Sequence, residues 1–149
     1  MSSNSNNINI KKTLKDVTYS PKILIAWKEA IKGNKKIKDW LTVNGYKELG
    51  VFCYALRNDF KAKDWLLDNG YPHLLALING AEGDLKALQW LVTLKFDLLF
   101  HMAKAADSYK DSKAFLKLKD PLLLAIAIEM EIIKDEIDDN YKDPHKLNP

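Results

Sequence analysis

Apolar positions recur along this chain with helical spacing, and the spacing itself recurs. Leu24, Trp27, Ala30 and Ile31 fall at i, i+3, i+6 and i+7, the stripe of a one-faced helix. Slid by 25 residues, Leu24 lands on Leu49, Leu74, Leu99 and Leu124, and Trp27 lands on Phe52, Leu77, Met102 and Ala127. A third column reads Cys53, Ile78, Ala103 and Ile128. Between these stripes runs a ladder in which a large aromatic precedes a leucine: Trp40-Leu41, Trp65-Leu66, Trp90-Leu91 and Phe115-Leu116. A period of this length marks a repeat architecture, in which one supersecondary unit buries its apolar face only by stacking on its neighbours.

The pattern predicts a first helix over 22–32, opened by Pro21, whose missing N–H would lack a partner there anyway. Ladder helices follow over 35–43, 60–68, 84–94 and 111–118, and partner helices over 46–57, 71–81, 96–107 and 121–137. Asn44-Gly45 and Asn69-Gly70 end two of the ladder helices, glycine supplying the left-handed cap. Gly33-Asn34, Asn58-Asp59, Gly83-Asp84 and Asp107-Ser108 carry the turns that start the next helix. The expected fold is all-α: an α-solenoid of about four stacked antiparallel helix pairs over 21–137, preceded by a flexible basic arm over 1–20 and followed by a polar tail over 138–149. The ladder aromatics are expected in the core, because a repeated core position explains every instance, whereas base-stacking platforms need not recur with the repeat. Tyr46, Tyr71 and Phe96 share one column and are expected to plug the seam between units.

Composition narrows the classes. The length of 149 residues fits one domain, and 47% hydrophobic with 29% charged residues is ordinary for a globular chain. Cys53 is the only cysteine, which excludes an intramolecular disulfide, a cysteine zinc cluster and a Cys-x-x-Cys redox pair. No run is long and apolar enough for a membrane span, and the Ser/Asn-rich start has no apolar signal core. The expectation is a cytoplasmic protein that does not enter membranes. The net charge of +3 is unevenly spread: nine lysines against two acids over 1–38, and eight acids against three lysines over 120–149. In an elongated stack this would separate charge end to end and favour weak, salt-dependent head-to-tail self-association.

The stretch Ala81-Glu82-Gly83-Asp84-Leu85-Lys86-Ala87-Leu88-Gln89-Trp90-Leu91 resembles the helix-turn-helix part of ankyrin repeats, and residues 59–71, ending in Asn69-Gly70-Tyr71, look like a second helix with its glycine cap. The Thr-Pro-Leu-His signature is absent, and 25 residues leave no room for the β-hairpin finger of a repeat of about 33. The resemblance is to ankyrin-like helix pairs without the finger, and it implies a binding role by analogy.

Candidate chemistry is sparse. His73, His101 and His145 belong to no Ser/His/Asp, phosphate-loop or His-Glu-x-x-His motif. Asp97 and His101 stand at i, i+4, half of an acid–base or metal site at most. The acids over 129–139 lack calcium-loop spacing, and Cys53 falls in a core column. No enzyme, metal or cofactor is expected. Function is therefore expected on the outward face of the partner helices, where chemistry varies from unit to unit: Tyr54, Asn79 and Lys104 in one row, His101 in a second, Leu75 and Phe100 in a third. Apolar and aromatic residues on an outward row suit a protein or peptide partner. The alternative is nucleic-acid binding through Lys11, Lys12, Lys15, Lys28, Lys32, Lys35 and Lys36, which the small net charge and the single arginine, Arg57, argue against.

Overall fold

A computed structural model describes residues 16–142 of the chain. Nine α-helices follow one another among them: α1 (Pro21–Ile31), α2 (Lys35–Val43), α3 (Lys47–Leu56), α4 (Phe60–Asp68), α5 (Pro72–Ala81), α6 (Leu85–Thr93), α7 (Asp97–Ala106), α8 (Lys110–Lys119) and α9 (Pro121–Lys142). The fold is all-α, with neighbouring helices packed in sequence as in a solenoid. The period shows in the turns. Left-handed backbone recurs at Gly33, Asn58, Gly83 and Ser108, and again at Gly45, Gly70 and Lys95. Asn34, Asp59 and Asp84 cap α2, α4 and α6, each side chain accepting the N–H three residues on.

The two kinds of helix are buried very differently. Odd-numbered helices form the interior: Trp27, Phe52, Leu77 and Met102, one column, have no solvent exposure. Even-numbered helices lie outside and bury one or two residues each, always including the ladder leucine, Leu41, Leu66, Leu91 or Leu116. The ladder aromatics are therefore not core residues as expected. Trp40 is 40% exposed, and Trp65, Trp90 and Phe115 are half-buried. An outer helix touches the interior along a narrow stripe only, and of two neighbours about 100° apart around the helix it is the leucine that lies on that stripe. The aromatics lie along the flank: Trp65 stacks on Tyr71 and Trp90 on Phe96, while Lys22 and Lys47 sit over Trp40 and Trp65 at 5.6 and 5.1 Å.

Closure is the feature that the pattern did not reveal. Each odd helix packs on the next, α1 on α3, α3 on α5, α5 on α7 and α7 on α9, and α9 packs back on α1 and touches α3. The interior is a closed ring of five helices, so the basic first helix and the acidic last one stand side by side rather than at opposite ends. The end-to-end charge separation expected of an elongated stack is thereby corrected. Closure comes with a slip of one residue. The turn before α9 has no left-handed position, since Asp120 is extended at φ −159°, and the last column moves back by one: Leu123, Ile126, Ala127 and Met130 are fully buried, while Ile128 is 38% exposed. Helix α9 runs five residues past the expected end at 137. Among the described residues no helix is long and apolar enough to cross a membrane.

The two tryptophan classes separate in a stability measurement. Trp27→Ala is expected to cost about 3–5 kcal/mol, the range for a buried large aromatic, and Trp40→Ala under about 2 kcal/mol. Urea denaturation of both variants checks the order; equal losses would return the ladder to the core.

Candidate functional site

Since the odd helices are parallel, their N-termini open on one mouth of the ring, and residues 16–20 cross it. Asp16 accepts the backbone N–H groups of Leu98 and Leu99 at 2.8 and 3.2 Å. It thus caps α7, whose own N-cap residue, Phe96, makes no side-chain cap. At the other end of this strap the Tyr19 hydroxyl donates to Glu48 at 3.1 Å, and its ring meets Trp27 and Tyr46 edge-on. The expected arm over 1–20 is packed from Asp16 onward; Lys11, Lys12 and Lys15 lie outside the described residues, as does His145.

Beneath the strap the second residues of three successive odd helices line up: Glu48, His73 and Leu98. Burial holds the Glu48 carboxyl above the usual range, opposed by the Tyr19 hydrogen bond. Burial also pushes His73 down to about 4, its ring between Tyr71 and Phe96. A cleft of about 430 Å³ separates the strap from the turn at Asn69-Gly70 and is lined by Tyr19, Tyr71, His73 and Leu99 among others. The opposite mouth is tied by α9: the Lys134 ammonium donates to the Ala81 carbonyl at the end of α5 and reaches Asp107, the C-cap of α7, at 3.4 Å, a cation where two helix dipoles end.

The four even helices cover the seams of the ring. Helix α2 lies over α1 and α3, α4 over α3 and α5, α6 over α5 and α7, and α8 over α7 and α9. The fifth seam, between α9 and α1, has no such cover among the described residues. Equivalent positions show what this leaves open. At Gly50 on α3 an added Cβ would meet Thr42 of α2 at 2.4 Å, so this column faces the preceding outer helix. Its counterpart on α1, which no outer helix precedes among the described residues, is Ile25, 46% exposed. On the other lip, a Cβ at Gly80 would meet Leu88 of α6 at 3.0 Å and Ala103 of α7 at 3.1 Å, so that column faces the following outer helix and the next interior one. There the interior helices carry Ala30, Ala55, Gly80 and Ala105, all buried, whereas α9 carries half-buried Glu129 and, one turn on, Ile132 at 44% exposure. An apolar trough of about 240 Å³ continues from Ile25 to Ile37 and Trp40.

The residues expected on the outward face of the partner helices lie at covered seams. Leu75 and Phe100 are half-buried against the core, and Asn79 is half-buried. Tyr54 is exposed beneath the Lys38 ammonium at 4.3 Å, and Lys104 sits 3.5 Å from the Tyr109 ring. His101 stacks on Phe115 at 3.9 Å, and its Nδ1 is 2.9 Å from Ser112 Oγ. This Ser–His contact escaped sequence reading because the residues are 11 apart on different helices. Ser112 is only 4% exposed, so the pair pins α8 to α7 and offers no open nucleophile. Of the described lysines proposed for nucleic acid, Lys28 and Lys32 flank Glu29 at 3.7 and 3.9 Å and Lys35 pairs with Asp39 at 2.7 Å; Lys36 is exposed.

His73 makes the mouth acid-sensitive. Its folded value of about 4 lies below the unfolded value of about 6.5, so the unfolded chain binds the proton more readily. The stability concerned is complete above pH 6.5 and is lost as pH falls toward 4, up to about 3 kcal/mol. Glu48 acts in the opposite sense, since its raised value favours protonation in the folded state. Leucine occupies this column at Leu98 and, after the one-residue slip, at Leu122, so His73→Leu is expected to fold and to lose less stability than the wild type between pH 7 and 4.5. Thermal melts at the two pH values check this, and equal losses would contradict it.

No protein family, curated protein or solved structure matches the chain.

Proposed function

We propose that this protein is a non-enzymatic protein-interaction module that receives a helix of a partner chain on the outward face of its odd helices, at the uncovered α9–α1 seam. The observation that carries the reading is the mismatch, among the described residues, of five seams and four covering helices. Everywhere else the fold fills the groove between two interior helices with an amphipathic helix bearing a buried leucine. A partner helix would meet at the fifth groove the same kind of surface: Ile25 and Ile132 on its lips, with the Trp40 trough alongside. Helix-in-groove recognition works by setting apolar anchors at i, i+3, i+4 and i+7 into such a groove, and a half-exposed tryptophan is a favoured anchor at interfaces. The binding role implied by the ankyrin-like resemblance is consistent with this reading. The outward face is the one expected from the sequence, but its place moves from Tyr54, Leu75, Asn79, Phe100, His101 and Lys104 to Ile25, Trp40 and Ile132. A reducing, cytoplasmic setting suits the lone Cys53, a buried thiol that burial pushes up to about 12.

A photo-crosslinking amino acid at position 25, with a second copy of the experiment at exposed Leu118 on α8 as control, tests the proposal in extracts of the native cell. Peptide mapping of the products should give an amphipathic helical segment joined to position 25 and absent from the control. Identical product patterns at the two positions, or none at position 25, would reject the seam.

A further inference from the structure

We infer that the chain covering the α9–α1 seam is a second copy of this protein, an inference that rests on the seam being a docking surface. The argument is charge. Helix α1 carries Lys22, Lys28 and Lys32 against one acid, Glu29. The stripe of α9 that continues from Glu129 through Ile132 to Glu136, at i, i+3 and i+7, is acidic around its isoleucine, and exposed Asp135 adjoins it. One lip is basic, the other acidic, and each carries an exposed isoleucine, Ile25 on α1 and Ile132 on α9. A surface with that order complements itself under one symmetry operation, a two-fold axis parallel to the helices, which lays α1 of each copy over α9 of the other. Ile25 then faces the first half of the other copy's α9, Ile132 lies near the end of its α1, and both charge pairs meet beside them, where they set register and partner choice more than affinity. The alternative axis, perpendicular to the helices, sets α9 against α9 and α1 against α1 and opposes like charges.

The lysines of the basic lip are not free point charges in the single chain. Lys28 and Lys32 share Glu29 at 3.7 and 3.9 Å, which leaves one positive charge in excess of their partner, and Lys22 lies 5.6 Å from the Trp40 ring centroid. On the acidic lip Glu131 is held by Lys113 of α8 at 3.0 Å, so the acids available to a second copy are Glu129, Asp135 and Glu136. Closure of the ring creates this arrangement, because only in a closed ring do the basic first helix and the acidic last helix border one groove.

Sedimentation equilibrium of the full chain over a wide concentration range, at low and high salt, tests the inference together with three variants. Wild type is expected to show a monomer–dimer equilibrium that weakens with salt. Ile25→Asp should weaken it at least about tenfold, a charge then replacing an apolar side chain within the contact. Lys28→Glu/Lys32→Glu and Glu129→Lys/Glu136→Lys should each weaken self-association by a similar factor, and an equimolar mixture of the two should restore it as a heterodimer, because one variant then has two acidic lips and the other two basic ones. The charge variants alter exposed or half-exposed residues, so they remain informative if Ile25→Asp fails to fold, which its melting curve shows. A wild type that stays monomeric at every concentration overturns the second copy as occupant while leaving the seam to be judged by the crosslinks at position 25. A dimer indifferent to all three variants, or a mixture that fails to associate, places self-association elsewhere and overturns the inference.

Discussion

The contact on which the rest of the structure depends is the packing of α9 on α1. An open stack of helix pairs exposes an apolar face at each end and must cap both. Here the two end faces cover one another, so five interior helices share one core. Long-range side chains hold each mouth of the ring. Asp16 reaches over 82 residues of sequence to cap α7, and Lys134 reaches back 53 to the end of α5. Both act at helix termini, where backbone groups lack intrahelical partners and the helix dipoles favour an acid at one end and a base at the other.

The strap and the open seam have a common origin. The repeat phase would place the last turn of a covering helix at residues 16–18, just before α1. Those residues instead run across the mouth, Asp16 landing on α7 and Tyr19 on Glu48. Chain that would otherwise cover the α9–α1 groove is committed at this point to closing the ring, and the groove keeps its exposed isoleucines. Glu129 occupies a column that is otherwise alanine or glycine, so whatever covers this groove must meet a carboxylate where the four internal helices meet a small side chain.

Much of the fold was legible in the sequence, because period and capping are local. Residues 35–43 and 60–68 are helical over the expected span, and the caps at Asn34, Asp59 and Asp84 are where turn chemistry puts them. What escaped reading depends on partners far apart in the chain. Periodicity ranks Trp40 and Leu41 together, but only three-dimensional packing decides which of two neighbours turns inward. The slip at Asp120 deletes a left-handed residue, and a column alignment at constant step hides it: Leu124 and Ile128 align where Leu123 and Ala127 are buried. Ring closure, Asp16 as a remote cap and Ser112 as the partner of His101 have no local signature. The same holds for the candidate surface. Nothing local distinguishes Ile25 from other outward residues; the helices on either side of it do.

Native-state hydrogen exchange of the wild type and of Met130→Ala tests closure most directly. Met130 is fully buried on α9, and its truncation should cost about 2–5 kcal/mol. In a closed ring the amides of α1 share the interface with α9 and belong to its cooperative unit. The account predicts that protection in α1 falls together with that in α7 and α9. Loss of protection confined to α7, α8 and α9, with α1 unchanged, is the behaviour of an open stack and would contradict it.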